Sequence, residues 1–473
     1  MPWSAESGSL DFATLLAGYA DGTLSPSAVI DAVYDRIAAR SPAGTLSPEW
    51  IALVPRDQAL AAARALEREG NPASRPLYGL PFGVKDNFDL AGLPTANACR
   101  AASRMATATH PIVARLAAAG AIPIGKNNMD QFGVGLNGTR TDYGIPACVF
   151  DPAYICGGST SGGGVAVASG QVSFALGGDA AGSGRVPAAL NNIVGLKPTP
   201  HLVPSGDRSM AGMTATHSIL GLTVADCVAA TRAIIGYDPA DPLSRPEAET
   251  FALRLDSAPA RFRFGVPSAA TIRFHGDEEA ARLFAGAVAR LEAMGGTAVE
   301  VDFSPFYRAA RMLYDGPFIA QRLANLEGFL NRNFVRIHPA TRTIVSWGRG
   351  YSGADVFRAQ HEMAGYRQMA RALFRDLAFL LTPTTPTTFT IAELTADTRA
   401  NIELNAVLGT YTNFVNLMHL SALAVPAGFR ADGKPLGVTL VGPELGDSLI
   451  ATIGARYHAA LGGQLGATGV AVA

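Results

Sequence analysis

The chain lacks both a surplus of charge of one sign and a high content of charged residues. Its 473 residues include 38 Lys and Arg against 39 Asp and Glu, and charged residues make up only 16%. Nucleic-acid binding relies on excess cations that neutralise phosphates, so this balance argues against a polynucleotide partner. Hydrophobic residues reach 48%, a share that can bury a large core and excludes a disordered chain.

Long apolar runs and metal-binding motifs are also missing. No run of about 18 strongly apolar residues could form a membrane-spanning helix, and residues 1–12 show no basic segment followed by an apolar one. The four cysteines form no C-x-x-C pair, and the eight histidines are scattered without metal-ligand spacing. We therefore predict a cytoplasmic protein with no signal peptide, no membrane contact and no metal site.

The common hydrolase and dinucleotide signatures are absent or incomplete. Ser183 does not lie in a G-x-S-x-G elbow because Ala181 precedes it by two positions. The pair His361-Glu362 lacks the second histidine of a zinc-protease helix. A literal G-x-G-x-x-G occurs at residues 133–138, but no predicted strand leads directly into it. An oxidoreductase is thus an alternative that rests on this motif alone.

The alternation of short apolar runs with amphipathic segments predicts an α/β protein. The first 70 residues or so form a helical segment, with later helices and strands alternating. The predicted helices are 11–20, 25–39, 56–69, 112–119, 277–294, 308–330 and 448–461, and the predicted strands are 121–125, 172–176 and 297–301. No linker divides residues 1–462, so we predict one domain, followed by a small-residue tail at 463–473 that is disordered or a truncated linker.

Three segments combine a lysine and two serines with dense glycine: GVKDN at 83–87, GGSTSGG at 157–163 and GDAAGSGRVP at 178–187. Amide hydrolysis by a serine needs a group that takes its proton and returns it to the departing amine. Burial beside Phe82 and Val84 disfavours the charged form of Lys85 and so suits it to act as a base. In this order, with Ser159 and Ser183 separated by 183 − 159 = 24 positions, the segments resemble the amidase signature family, over nearly the whole chain.

This resemblance implies a Ser-Ser-Lys mechanism without a cofactor. Ser183 is the expected nucleophile, and Ser159, on a cis peptide after Gly158, is expected to relay its proton to Lys85. Arg185 is expected to brace the nucleophile loop. The expected oxyanion hole consists of the backbone N–H groups of Ala180, Ala181, Gly182 and Ser183. The resemblance further implies a single large α/β domain with a central mixed β-sheet flanked by α-helices, and a homodimer.

Residues 313–322, 408–417 and 424–429 are similar to allophanate hydrolases within that family. Tyr314 and Arg322 are eight positions apart, so on one helix they would share a face and converge on a small carboxylate. The expected substrate is therefore allophanate, a carboxylated urea that would release ammonia. The alternatives are a malonamidase-like or ureido-acid amidase, the A-type subunit of an aminoacyl-tRNA amidotransferase, and an inactive amidase-fold scaffold.

The sequence departs from allophanate hydrolases in two ways. Those enzymes usually have threonines in place of Gly178 and Ala180 and serines in place of Thr160 and Gly163. They also resemble a two-domain chain, whereas this sequence stops after the last amidase-like helix. We therefore expect a truncated chain, a different small carboxylated amide as substrate, or a product that decays unaided.

Overall fold

A mixed β-sheet runs through the computed structural model, which describes residues 4–42, 44–206, 214–256 and 259–472. The strands are β1 (Trp50–Leu53), β2 (Pro81–Lys85), β3 (Pro94–Thr95), β4 (Arg104–Met105), β5 (Ile122–Asn127), β6 (Ala147–Cys148), β7 (Asp151–Ile155), β8 (Phe174–Asp179), β9 (Val194–Lys197), β10 (Thr216–Gly221), β11 (Phe262–Pro267), β12 (Gly296–Val301), β13 (Phe379–Pro383), β14 (Ser421–Phe429) and β15 (Pro435–Gly442).

Helices cover this sheet and form the outer layers of the domain. They are α1 (Phe12–Asp21), α2 (Pro26–Arg40), α3 (Arg56–Glu69), α4 (Pro111–Ala118), α5 (Ser161–Ala168), α6 (Arg185–Leu190), α7 (Val224–Arg232), α8 (Glu278–Ala293), α9 (Ser304–Arg311), α10 (Ile319–Asn333), α11 (Pro339–Ser346), α12 (Gly353–Leu373), α13 (Ile391–Thr395), α14 (Thr398–Leu408), α15 (Asn413–Leu417) and α16 (Asp447–Leu461). None of the described helices is long and apolar enough to cross a bilayer.

The main sheet contains 11 strands among the described residues, in the order β1-β5-β2-β8-β10-β9-β14-β15-β13-β11-β12. Strand β2 is parallel to β5 and β8, and β11 is parallel to β12 and β13, while the other neighbours are antiparallel. Helix α5 packs on β2, β5 and β8, and α16 packs on β14 and β15. The predicted α/β fold with a central mixed sheet is confirmed.

Local capping explains why most predicted helix bounds agree with the structure to within a residue or two. Asp11 precedes α1, and its side chain accepts a hydrogen bond from the Thr14 N–H. Ser25 caps α2 in the same way, with Pro26 at the first helical position. Helix α3 ends at Gly70, whose φ of 69° is the left-handed conformation that terminates helices.

The predicted helix over residues 308–330 is wrong, because the structure has two helices there, α9 and α10, joined by a non-helical connection. Pro317 has no N–H and also restricts the residue before it, so a helix cannot run through this point. The connection turns so tightly at Gly316 that a Cβ there would lie 2.8 Å from the Met312 backbone. Glycine has no Cβ and therefore permits this turn. Tyr314 therefore lies in the connection before α10, and it does not share a helix face with Arg322.

The segment after α16 also differs from the expected disordered tail, as far as residue 472; Ala473 lies outside the described residues. The Ala467 N–H donates to the Ala168 carbonyl at the end of α5 (2.7 Å). The Asn192 side chain donates to the carbonyls of Gln464 (2.8 Å) and Gly466 (3.0 Å). Small residues permit this close approach, because a Cβ at Gly466 would lie 2.6 Å from the Ala168 oxygen.

Candidate active site

Lys85 ends strand β2, and its amine reaches two hydroxyl groups on the loop before α5. Its Nζ donates to Ser159 Oγ at 2.8 Å and to Thr160 Oγ1 at 3.0 Å. The parallel neighbours β5 and β8 bury β2 on both sides, and Lys85 is only 3% exposed. The lysine is thus held at the carboxyl end of a buried strand, within hydrogen-bond distance of the serine expected to relay the proton.

Burial lowers the pKa of Lys85 from its ordinary 10.5 to about 7. Removal from water disfavours the ammonium, and the positive charge of Arg322 acts in the same direction. The carboxylates of Asp130 and Asp179 oppose this shift in pKa without cancelling it. A substantial fraction of the amine is therefore neutral near neutral pH, as a general base requires.

The loop that holds Ser159 is built around the buried carboxylate of Asp130. The peptide bond between Gly158 and Ser159 is cis, as the family resemblance implies. The Asp130 N–H donates to the Ser159 carbonyl at 3.2 Å, and Asp130 Oδ2 accepts from the Gly138 N–H at 3.0 Å. A Cβ at Gly158 would collide with Asp130 Oδ2. Glycine at this position therefore lets Asp130 support the serine.

The G-x-G-x-x-G segment at residues 133–138 lies in a different loop, between β5 and β6, but contacts the same carboxylate. Gly135 has a φ of +155°, and a Cβ there would lie 2.6 Å from Asp130 Cγ. A short 3-10 turn at Gln131–Gly133 separates the motif from strand β5, and no α-helix begins within it. The motif therefore wraps the protein's own carboxylate, and its backbone does not have the strand–turn–helix form of a dinucleotide site.

A second carboxylate, Asp179, organises the loop that carries Ser183. Its oxygens accept hydrogen bonds from the N–H groups of Gly182 (2.9 Å) and Gly184 (3.2 Å). Arg185 donates to both oxygens in a bidentate pair, each bond 2.9 Å long. Burial raises the pKa of Asp179, but the charge and hydrogen bonds of Arg185 outweigh burial, and the net pKa is lowered. Ser183 thus lies in a loop that is closed on an ionised carboxylate.

Arg185 also ties this loop to a distant part of the chain. Its Nη2 donates to the Thr412 carbonyl and to Asn416 Oδ1, both at 3.1 Å. The Asn416 amide donates in turn to the Asp179 carbonyl at 2.6 Å. Arg185 is fully buried and does not line the small cavity formed by Lys85, Ser159 and Ser183, which we call the catalytic cavity. These contacts agree with its expected role as a brace for the nucleophile loop.

The predicted oxyanion hole needs one correction, at Gly182. Its N–H is occupied by Asp179 and is not available to a substrate oxygen. Two features require glycine at position 182: its φ is +125°, and a Cβ there would lie 2.5 Å from Thr412 Oγ1. Ala180 and Ser183 do line the catalytic cavity. We therefore retain the N–H groups of Ala180, Ala181 and Ser183 as candidate donors and exclude that of Gly182.

Most of the predicted site residues line one small cavity of about 50 Å³, whose walls include Lys85, Ser159, Ala180, Ser183 and Arg322. Arg322 extends from α10, and its Nη1 donates to the Phe132 carbonyl at 3.5 Å. Tyr314 instead lines a larger neighbouring cavity of about 270 Å³. Burial raises the pKa of Tyr314, and the charge of Arg322 opposes this. The structure thus brings the lysine, the serines and the arginine together, with Tyr314 beside them.

Several residues of the site escape prediction from the sequence. Asp130, Asp179 and His217 are not among the predicted site residues, and Thr160 stands out only as a departure from relatives. Asp179 directly follows Gly178, and Asp130 precedes the first glycine of the G-x-G-x-x-G motif by three positions, so an aspartate next to or just before a glycine-rich motif is a usable signal for a carboxylate that organises a loop. The described residues contain no group of three His, Cys, Asp or Glu placed to hold a metal ion.

A buried lysine that is hydrogen-bonded to one serine, near a second serine on a glycine-rich loop, is typical of a hydrolase that uses a serine nucleophile. Residues 28–450 match the model of the family described as Amidase. The chain therefore belongs to the amidase family and is an amide C–N hydrolase.

Among related sequences, the urea amidolyase of Lachancea kluyveri is 37% identical over 414 residues, which is 87% of this chain. The chain spans only about a fifth of that relative's length (22%). The A-type subunit of the glutamyl-tRNA(Gln) amidotransferase of Chloroflexus aggregans is 32% identical, with 85% of this chain and 87% of that protein covered. Among solved structures, the allophanate hydrolase of Kluyveromyces lactis superposes with a TM-score of 0.88 at 34% identity, covering 97% of this chain and 73% of that one.

Proposed function

We propose that the chain hydrolyses allophanate and releases ammonia, with Ser183 as nucleophile. The observation that carries this proposal is the 2.8 Å hydrogen bond from Lys85 Nζ to Ser159 Oγ, inside a cavity that also contains Ser183 and Arg322. The similarity to an allophanate hydrolase and to urea amidolyases supports the choice of substrate.

In the proposed reaction the neutral amine of Lys85 takes the hydroxyl proton of Ser159, while Ser159 takes that of Ser183. The Ser183 oxygen then bonds to the terminal amide carbonyl of the substrate. The protonated lysine returns a proton through Ser159 to the amide nitrogen, the C–N bond breaks and ammonia leaves. Water then attacks the acyl-enzyme: it gives a proton through Ser159 to Lys85, and its oxygen bonds to the carbonyl carbon. The bond between that carbon and the Ser183 oxygen breaks, Ser183 recovers the proton, and the product leaves with a new carboxyl group.

Charges in the cavity match the two negative centres of this reaction. The developing oxyanion would accept hydrogen bonds from the N–H groups of Ala180, Ala181 and Ser183, where one donor contributes about 3 kcal/mol. The guanidinium of Arg322 would bind the substrate carboxylate through charge-assisted hydrogen bonds. Tyr314 lines the larger cavity and is near enough to Arg322 for that charge to act on its phenol, so its hydroxyl group would be the second donor to the carboxylate.

Ammonia release from allophanate tests the proposal directly. We expect Lys85→Met, Ser159→Ala and Ser183→Ala to abolish turnover, because each removes one member of the proton path. Arg322→Ala should raise KM by about tenfold to a hundredfold, the loss of a charge-assisted hydrogen bond, with a smaller effect on kcat.

Two variants serve as matched controls. Ser169→Ala removes a hydroxyl that donates to the Val165 carbonyl within α5, and Arg332→Ala removes an exposed arginine from the same helix as Arg322. Both should retain wild-type activity. A wild-type protein that ignores allophanate but hydrolyses malonamate or another small amide would overturn the substrate and leave the serine mechanism standing.

Similarity to the A-type subunit of a glutamyl-tRNA(Gln) amidotransferase supports a second candidate. Such a protein would work as one subunit of a complex and would act on an amide other than allophanate, for which glutamine is the probe. The purified chain, assayed alone with allophanate and with glutamine, separates the two functions. Turnover of glutamine but not of allophanate, or activity that appears only when partner proteins are added, would favour the second candidate.

A homodimer in the cytoplasm completes the proposal. Large apolar side chains such as Val335 and Phe357 are 84% and 73% exposed in the single chain, and burial in a dimer interface would remove them from water. Light scattering during size-exclusion chromatography tests the dimer. A monomer at micromolar concentration would reject this part without affecting the catalytic proposal.

A further inference from the structure

His217 lines the catalytic cavity but has no part in the proposed proton path. It lies on β10 directly opposite Gly178 of β8, in antiparallel register, and both residues line the cavity. Directly opposed residues of an antiparallel pair point to the same face of the sheet. Because Gly178 has no side chain, the imidazole of His217 forms the wall at this point. His217 is itself only 6% exposed.

The contacts of the ring determine which nitrogen carries its proton. His217 Nε2 lies 2.9 Å from the Pro204 carbonyl oxygen and 3.2 Å from that of Ser205. Carbonyl oxygens only accept hydrogen bonds, so Nε2 must be the protonated nitrogen. Burial, reinforced by the neighbouring His110, lowers the pKa of His217 to about 3. The ring is therefore neutral at any working pH, and Nδ1 carries a lone pair.

This lone pair has no hydrogen-bond partner within the described part of the chain, where the polar contacts of His217 all involve Nε2. The ring is also fixed in place. Its centroid lies 5.2 Å from that of Phe88 and 5.9 Å from that of His110, and Phe88 lines the same cavity. His217 thus presents a rigid, neutral hydrogen-bond acceptor in a cavity where the other polar side chains include the donors Lys85 and Arg322.

We infer that His217 accepts, through Nδ1, a hydrogen bond from the central N–H of the substrate, and that the site is therefore selective for ureido acids over malonamate. This inference rests on the proposed function. Allophanate carries an N–H between its carboxylate and the carbonyl that Ser183 attacks, whereas malonamate carries a CH₂ at that point. With the carboxylate at Arg322 and the carbonyl at Ser183, that central group lies in the cavity whose wall is His217. A site built to accept an N–H discriminates against an analogue that lacks it.

The test compares kcat/KM for allophanate and malonamate in the wild type and three variants at His217. His217→Phe retains an aromatic ring beside Phe88 but removes the acceptor. We expect it to lower the allophanate-to-malonamate ratio by about tenfold to a hundredfold, because the substrate N–H is then buried without a partner. His217→Asn places an amide oxygen close to the Nδ1 position and should restore part of the ratio. His217→Gln extends its amide to the Nε2 position and should not.

His361→Phe, at an exposed histidine of α12, is the control for loss of an imidazole, and circular dichroism checks that every variant is folded. A ratio that stays within about twofold of wild type in folded His217→Phe and His217→Asn would overturn the inference. If His217→Phe does not fold, equal ratios for the Asn and Gln variants would overturn it. A wild type that hydrolyses neither substrate would instead defeat the proposed function.

Discussion

Replacing Lys85 by methionine should stabilise the fold while it abolishes catalysis. Methionine has a similar straight side chain but no charge to desolvate. Burial lowers the pKa of Lys85 from 10.5 to about 7, so the folded protein binds this proton less tightly than the unfolded chain does. At about 1.4 kcal/mol for each pKa unit, the charged lysine costs the fold about 5 kcal/mol.

The size of the gain depends on pH in a defined direction. Between pH 7 and 10.5 the unfolded chain holds a proton that the folded state has released, so the wild-type free energy of unfolding rises with pH in this window. Giving up this proton on folding lowers the wild-type free energy of unfolding by about 3 kcal/mol at about pH 8 and by about 1 kcal/mol at about pH 9.5. The variant also loses the hydrogen bonds of Lys85 to Ser159 and Thr160, which lowers its free energy of unfolding by about 1–2 kcal/mol. Lys85→Met should thus be more stable by about 1–2 kcal/mol at the lower pH and about equal to wild type at the higher one.

Urea unfolding of both proteins at the two pH values measures this difference. Lys126→Met is the matched control, because Lys126 is equally buried but forms a 3.1 Å ion pair with Asp86. Its replacement leaves Asp86 buried and unpaired and should destabilise the fold by about 3–5 kcal/mol. A stability difference between wild type and Lys85→Met that does not change with pH would refute the reasoning, since it would mean that Lys85 keeps its proton in the folded state.

Three further predictions concern the two serine loops. Gly163→Ala should lower stability by about 1–2 kcal/mol in thermal unfolding, because the new Cβ would lie 3.0 Å from both Thr160 Cγ2 and Ala175 Cβ; an unchanged melting temperature would show that the helix shifts freely. In a Thr160→Ser background, which lacks that methyl group, the same substitution should cost about half as much, because the contact with Ala175 remains, and an undiminished cost would exclude Thr160 as an obstacle. Arg185→Met should destabilise by about 3–5 kcal/mol in urea unfolding, because Asp179 is left buried without its partner; near-wild-type stability would show that the pair does not hold the loop, whereas recovery in the Asp179→Asn double variant would support it.

Much of the fold and the central part of the site follow from local sequence signals. The glycine-rich serine segments and the lysine after an apolar run stay together in space because parallel strands β2 and β8 end at the same edge of the sheet. Helix bounds follow from caps such as Asp11 and Ser25. The motifs and the caps depend on residues close together in the chain, which a sequence displays directly, whereas the pairing of β2 with β8 that joins the motifs is a long-range contact.

The parts that sequence reasoning predicts wrongly or misses depend on contacts between distant segments. Gly182 has the sequence position of an oxyanion donor, but Asp179 occupies its N–H in the structure. His217 becomes part of the site through pairing of β10 with β8, which no local pattern reveals. The break at Gly316-Pro317 is different, since proline chemistry alone predicts that a helix through 308–330 is interrupted.

The brace between Arg185 and residues 412–416 has a consequence for the order in which the protein matures on the ribosome. Domains generally fold as units during synthesis, from the N-terminus onward. Lys85, Ser159 and Ser183 all precede Arg185 in the chain, but Arg185 meets Thr412 and Asn416 only after more than two hundred further residues have been added. The same delay applies to the join of β9 with β14. The nascent polypeptide therefore carries Lys85, Ser159 and Ser183 through more than two hundred residues of synthesis before residues 412–416 can hold the Ser183 loop in place.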